Sequence, residues 1–322
     1  MFSIVIPLFN KAHTIERALK SVFSQTFKRF EIIVVDDGST DNGIEIINKF
    51  ENFDQIKIVK QENQGASVAR NNGVKKAKYE FIAFLDGDDE WESKYLETMY
   101  GAIKLHPNCG MVCCGRYYKD DITKKITPLL AKKYEGMIRK INFFENPLVF
   151  THTSSTIIKK NIFDKVGGFQ ERMINNEDLL LFFLIALIEP TVYCGFPLSY
   201  YYGNVKGQLT TKNKLNFYEA NLDICKRFNL TYKMWDSRGR ENKIFKIFLK
   251  YEFRHLIINS LRKNDFNTIK LFLENIDKDI LKLFPFFEMK FYGSSSLKNW
   301  NKFYILITKL LWRTRGYPIA GK

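Results

Sequence analysis

The sequence predicts an α/β fold built on a mainly parallel sheet, followed by a helical region. Three observations carry this. Short β-branched strands alternate with amphipathic helices through the first third of the chain, at the spacing of βαβ units. Two of the four strands end in aspartate clusters, which puts both clusters at one sheet edge, where open α/β sheets bind ligands. From about Lys212 to Gly293 the pattern is helical, with few glycines.

Taken in order, Phe2–Leu8 is a strand, closed by Pro7 and a turn through Asn10. Ile15, Ala18, Leu19, Val22 and Phe23 recur at helical spacing. Glu31–Val35 is the second strand, and Asp41 is placed to N-cap a helix through Ile44, Ile47 and Phe50. Ile56–Val59 is the third strand. Gly65 opens a helix through Val68, Ala69 and Asn72. The fourth strand, Phe81–Leu85, is an uninterrupted apolar run, as expected of a strand buried on both faces. A helix over Ser93–Leu105 follows, then two antiparallel strands, Met111–Tyr118 and Ile122–Thr127. Asn161–Val166 is a short helix ended by Gly167-Gly168, and Glu177-Asp178 opens a helix over Leu179–Ile188 that Pro190 stops. Thr191–Tyr202 reads as two short strands.

Composition narrows the class. Hydrophobic content of 45% and aromatic content of 15% suit a folded globular protein. Five cysteines without regular spacing argue against a disulfide framework. Strand alternation sends Cys113 and Cys114 to opposite faces, so packing and not zinc explains them. The chain opens directly into a strand and its longest apolar run, Leu179–Ile188, is too short to span a bilayer, so the expected location is cytoplasmic. Net charge is +15, but residues 1–110 sum to −2 and residues 211–322 to +13. The excess therefore belongs to the last third.

The chemistry is concentrated in carboxylates. Phe84-Leu85-Asp86-Gly87-Asp88-Asp89-Glu90 crowds acids at the end of a buried strand, where they repel unless a cation or ligand sits among them. No G-x-G-x-x-G follows the first strand, and neither a P-loop nor a G-x-S-x-G elbow occurs. An aspartate-nucleophile phosphatase loop fails because Val35 stands where the nucleophile is needed.

The ordered set of Pro7 and Asn10 after strand one, Val34-Val35-Asp36-Asp37-Gly38-Ser39-Thr40-Asp41 after strand two, Asn63-Gln64-Gly65-Ala66-Ser67-Val68-Ala69-Arg70 before strand four, Asp86-Gly87-Asp88-Asp89 after it and Asn176-Glu177-Asp178 downstream resembles the family 2 glycosyltransferases. The resemblance covers about residues 2–205. It implies the GT-A fold, a Rossmann-like mixed sheet flanked by helices, and an inverting enzyme that uses a nucleotide-sugar donor. By that resemblance Asp37 accepts from uracil, with Pro7, Leu8, Phe9 and Asn10 as the other wall of the base pocket. Asp36 is the weaker base contact and suits an Asx turn. Arg70 offers a planar cation to base or diphosphate, and Gly87 lets backbone approach the ligand closely. Asp88 coordinates Mn²⁺ or Mg²⁺, with Asp86 nearer the ribose or binding the metal through water, and Asp89 behind them. Asp178, paired with Glu177, is the catalytic base, and the helix N-terminus is expected to favour its ionised form. Ser154, Ser155 and Gly168, within Thr153-Ser154-Ser155 and Gly167-Gly168-Phe169, match segments on the acceptor side. The family often places a metal-reaching histidine after the Glu-Asp helix; here the run is Tyr201-Tyr202-Gly203-Asn204, with Asn204 a neutral-oxygen substitute. His13, His106, His152 and His255 form no ligand cluster and read as structural.

The sequence thus predicts a catalytic domain over 1–210 and a basic helical extension over 211–322. In the last helix Trp300, Phe303, Tyr304, Ile307, Leu310 and Leu311 share an apolar face, with Lys302, Lys309, Arg313 and Arg315 beside it. Peripheral membrane contact and docking on the catalytic domain are the two readings of that face. Nucleic acid is not an expected partner, since no nucleic-acid motif accompanies the charge. The expected donor is a UDP-sugar and the expected acceptor a glycan or lipid-linked hydroxyl, in bacterial cell-surface polysaccharide or lipooligosaccharide assembly. A non-catalytic nucleotide-sugar-binding relative and a nucleotidyltransferase on the same sheet are the alternatives; the second lacks its usual Gly-rich loop here.

Overall fold

The computed structural model describes residues 1–50, 53–205 and 217–294, together with 302, 303, 305 and 306. Ten strands form one mixed sheet: β1 (Phe2–Leu8), β2 (Phe30–Asp37), β3 (Ile56–Gln61), β4 (Phe81–Phe84), β5 (Glu90–Trp91), β6 (Met111–Asp120), β7 (Ile126–Leu129), β8 (Ile138–Ile141), β9 (Thr156–Lys159) and β10 (Thr191–Gly203). The order is β3-β2-β1-β4-β9-β6-β10-β5, with β7 on β6 and β8 on β10. The pairs β3–β2, β2–β1 and β1–β4 are all parallel, so their carboxyl ends share one edge. The chain walks outward from β1 through β2 to β3 and returns to the other side of β1 as β4. That reversal makes the β1/β4 boundary a topological switch point, a place where loops diverge and leave a crevice.

The helices in chain order are α1 (Ile15–Phe23), α2 (Gly43–Asn48), α3 (Ala66–Lys76), α4 (Tyr95–Leu105), α5 (Pro147–Phe150), α6 (Lys160–Lys165), α7 (Glu177–Ile188), α8 (Phe217–Ser237), α9 (Lys243–Arg262), α10 (Phe266–Asn275), α11 (Lys278–Leu281) and α12 (Phe286–Tyr292). Strand alternation sorts the core. Phe2, Ile4, Ile6 and Leu8 meet Ile15, Leu19 and Val22 of α1 and Tyr95 and Met99 of α4, whereas Val5, Ile33 and Val35 meet Ala69 and Val74 of α3. Cys113 and Cys114 divide between the two clusters, and all five cysteines are free and buried. The α8–α12 region continues the α3 side: Phe245 lies 4.8 Å from Phe144, and Phe248 lies 5.3 Å from Phe183, ring centre to ring centre. Arg254 and Glu288 close it with two hydrogen bonds of 2.7 Å.

Four local readings change. Asp41 is not the N-cap of α2; Asn42 is, and the Asp41 carboxylate instead accepts from Gly43 N and Ala12 N, tying two loops together. The hairpin turn falls at 121–125, where Asp120 Oδ1 accepts from Ile122 N and Thr123 N, so the return strand is Ile126–Leu129. Thr191–Gly203 is one strand, slipping register on either side of Pro197, which has no N–H to give the ladder. β9 is absent from the sequence reading; four residues carry too little pattern, and it exists because β4 and β6 offer it edges on both sides. The terminal basic helix lies outside the described residues apart from 302, 303, 305 and 306. Among the described residues no helix is long and apolar enough to cross a membrane.

Helix α3 approaches the sheet through Gly73, where an added Cβ falls 2.4 Å from Val5 Cγ1. Gly73→Ala should therefore destabilise the protein by about 1–3 kcal/mol through overpacking, read as a lower denaturation midpoint. An unchanged midpoint would show that α3 can lift at no cost.

Candidate active site

A cleft of about 590 Å³ opens at the β1/β4 switch point. Its near wall is Pro7–Lys11, its floor Asp86–Asp89, and its far side is formed by Ile174–Asp178, His152, Thr153 and Tyr201. The near wall is built by side chains that grip backbone. Asn10 adopts a left-handed φ of 53° and its Oδ1 accepts from Thr40 N and Asp41 N at 2.8 and 3.3 Å. Asp36 makes an Asx turn with Ser39 N at 3.0 Å. Asp37 accepts from Gln61 Nε2, Gln64 N and Gly65 N at 2.8, 2.8 and 2.9 Å. A carboxylate has about four acceptor positions, so Asp37 lines the cleft with one that no donor among the described residues fills. Gly65, at φ 90°, turns the chain into α3 and brings Arg70 over the cleft.

The acids of the floor have distinct environments. Asp86 meets Arg70 at 2.6 Å. Burial opposes its charge, but the guanidinium holds the carboxyl below its usual range. Asp88 meets the Lys11 ammonium, and its backbone carbonyl accepts from Arg17 Nη2 at 2.6 Å. Arg17 in turn stacks 3.5 Å above the Tyr202 ring. Asp89 is buried; it accepts from Ser154 Oγ at 2.5 Å and Tyr202 N at 3.3 Å. Burial first, then Asp88 and Asp86, push its carboxyl well up. Lys11 escapes the sequence reading because a lysine after a turn asparagine carries no motif.

Glu177 and Asp178 begin α7 directly after Asn176, which is left-handed at φ 65°. Arg70 lies 3.6 Å from Glu177, so one guanidinium spans both acidic groups of the cleft. Its Nε and Nη1 are buried without a hydrogen-bond acceptor among the described residues. Burial, then Asp178, raises Glu177 to about 7. Asp178 is raised too, which reverses the expected direction. Its hydrogen bond from Leu179 N at 2.7 Å does favour the charge, but desolvation is the larger effect.

The expected acceptor-side residues are elsewhere. Ser154 and Ser155 are fully buried, and no acceptor could reach their hydroxyls. Ser154 Oγ instead accepts from Asp86 N at 3.1 Å while donating to Asp89, and its carbonyl accepts from Trp91 Nε1 at 2.6 Å. Gly168, at φ 68°, sits against Asn71 and Phe163, outside the cleft. Asn204 is also outside; its amide donates to Asp120 at 2.8 Å. The far wall is Arg116, Tyr118, Leu129, His152, Thr153 and Tyr201. His152 is thus a cleft residue, with Nδ1 3.8 Å from Asp89 and an imidazole that burial lowers to about 3. Histidine spacing gives no sign of this, since no second histidine accompanies it.

Among the described residues no three His, Cys, Asp or Glu side chains converge on one point as a closed metal cage requires. Asp86 and Asp88 nonetheless fit a cation that takes its remaining ligands from substrate and water. Each has a carboxylate oxygen, Oδ2 of Asp86 and Oδ1 of Asp88, that no described protein donor reaches.

The sequence model described as glycosyl transferase family 2 matches residues 3–167. Cholesterol galactosyltransferase of Borreliella burgdorferi is 37% identical over 180 residues, which are 55% of this chain and 49% of that protein. Poly(ribitol-phosphate) β-N-acetylglucosaminyltransferase TarP of Staphylococcus aureus is 30% identical over 167 residues, 51% of this chain and 50% of that protein. The chain spans about half the length of these relatives. Among solved structures, S. aureus TarS 1–349 in complex with UDP-GlcNAc superposes with a TM-score of 0.70 at 19% identity, covering 98% of this chain and 93% of that one. At that identity the likeness establishes the GT-A fold.

Ser154→Ala removes the hydroxyl that joins Asp86 N to the Asp89 carboxylate. It should destabilise the protein by about 1–3 kcal/mol, the cost of leaving buried polar groups unpaired. A denaturation midpoint equal to the parent's would show that the acidic turn holds itself.

Proposed function

The chain belongs to glycosyl transferase family 2, and on that premise we propose that it transfers a sugar from a nucleotide-sugar donor to an acceptor hydroxyl with inversion at the anomeric carbon. The observation that carries this is one cleft lined by Asp37 at its near end, Asp86, Asp88, Lys11 and Arg70 at its centre, and Asp178 across from them. In this reading Asp37 uses its open acceptor position on the ring N–H of uracil, against Pro7, Leu8, Phe9 and Asn10. The UDP-GlcNAc held by the structurally similar TarS supports a UDP-sugar as donor.

Arg70 and Lys11 lie where they can meet diphosphate oxygens, and Gly87 leaves the floor open to close approach. Mn²⁺ or Mg²⁺ would be held by Asp86 and Asp88; when bound, such a cation offsets charge that grows on a leaving diphosphate. Asp178 takes the proton of the acceptor hydroxyl as its oxygen bonds to the anomeric carbon. The bond from that carbon to the β-phosphate oxygen breaks, and its electrons leave with the nucleoside diphosphate. Burial raises the Asp178 carboxyl above the usual aspartate range, and a carboxylate so raised is a stronger proton acceptor than an ordinary one. Glu177 shares Arg70 with Asp86 and orients the same guanidinium.

The acceptor we infer is a glycan or lipid-linked hydroxyl in bacterial surface-glycan assembly; the acceptors named for the two relatives, poly(ribitol-phosphate) and cholesterol, likewise offer hydroxyl groups. The catalytic unit is assigned to about residues 1–210. The basic remainder is the candidate for peripheral contact with the inner face of a membrane.

Asp178→Asn should leave UDP affinity close to the parent's by calorimetry while slowing transfer by about 10²–10⁴-fold; normal transfer would place the base elsewhere. Asp88→Ala, and chelation of divalent cations in the parent, should each abolish turnover of a UDP-sugar. Full turnover in either case would refute the metal assignment.

A further inference from the structure

Asp88 is already occupied. Lys11 pairs with its Oδ2, and the two side chains are only 14% and 11% exposed. The root of Lys11 is fixed, because Asn10 holds the preceding turn and Lys11 O accepts from Thr14 N and Ile15 N at 3.0 and 2.9 Å. Its stem passes beside Gly87, where an added Cβ would lie 3.6 Å from Lys11 Cβ and Cγ. Lys11 lines the cleft, and its ammonium is the end of the side chain that meets Asp88. Arg70, from α3, does the same for Asp86.

This pairing sets a condition on any cation that enters alone. A divalent ion on the open Oδ1 of Asp88 would share one carboxylate with an ammonium on the other oxygen, at a poorly solvated site where like charges repel strongly. Displacing the ammonium would leave a positive charge without a partner in the cleft, which is costly. A nucleoside diphosphate removes both difficulties, because its oxygens can take the released ammonium and ligate the ion.

We propose that Lys11 is a resident counter-ion of Asp88 that is handed over to diphosphate oxygens, so that a divalent cation binds this cleft tightly only together with a nucleoside diphosphate. The inference rests on the donor reading above. Lys11 thus acts as a positioning residue in the donor-free protein and as a phosphate contact in the loaded one.

The test is Mn²⁺ titration of the full chain, followed by the electron paramagnetic resonance of free Mn²⁺, with and without UDP. The parent should bind Mn²⁺ weakly alone and more tightly with UDP, by about 5–150-fold as for coupled sites generally. Lys11→Met should bind Mn²⁺ alone about tenfold or more tighter than the parent and lose most of the UDP dependence, and Lys11→Arg should retain it. Lys11→Gln, measured alongside, supplies the same comparison if the methionine variant does not fold. Unchanged or weaker Mn²⁺ affinity in a folded, uncharged variant overturns the proposal while leaving the donor reading intact. If calorimetry shows no UDP binding to the parent with Mn²⁺ present, the donor reading fails and takes this inference with it.

Discussion

Asp86, Asp88, Asp89, Glu177 and Asp178 crowd one cleft, and the repulsion among them is the constraint that the surrounding structure answers. Arg70 stands between Asp86 and Glu177, Lys11 pairs with Asp88, and Ser154 joins Asp89 to the backbone of Asp86. Where burial outweighs these partners the carboxyl is pushed toward its neutral form, as at Asp89 and Glu177. Asp86, held by Arg70, keeps its carboxyl below the usual range, whereas burial raises Asp89, Glu177 and Asp178. One acidic cluster thereby holds carboxyls in two opposed electrostatic environments.

The fold supplies the address. Parallel pairing of β2, β1 and β4 delivers Asp37 and Asp86 to the same edge, and the outward-then-back strand order opens the crevice between them. Close approach of α3 at Gly73 sets the helix that carries Arg70. β9, wedged between β4 and β6, brings Ser154 beneath the acidic turn from a distant part of the chain. The α8–α12 helices extend the apolar cluster that underlies α3 and α7, and so brace the helix whose first turn is Glu177-Asp178.

Much of this is legible in the sequence where local pattern and tertiary role coincide. The β1–β4 alternation, the Gly65 turn into α3 and the acidic turn after β4 all show in a few contiguous residues. What stays hidden depends on partners far along the chain. Ser154 resembles an acceptor contact because its segment matches one, yet burial under Trp91 turns its hydroxyl inward. His152 and Lys11 are single residues without motif, recruited by the path of their loops. Asn204 differs: sequence order matches it to the run where the family often has a histidine, but at a left-handed φ of 63° its amide donates to Asp120 and it does not line the cleft. The direction of the Asp178 shift depends on how deeply α7 begins, which no helix-terminus rule contains.

The central claim is that this cleft takes a nucleotide-sugar together with a divalent cation. A thermal-shift screen of UDP-, GDP- and dTDP-sugars, each with and without Mn²⁺, addresses it and needs no acceptor. Ligand at 100 times its dissociation constant adds about 2.7 kcal/mol to stability, well within reach of such a screen. The expected result is a marked rise in melting temperature with one or more UDP-sugars in the presence of Mn²⁺ and little or none without it. A flat response to every nucleotide sugar, with or without Mn²⁺, would contradict it.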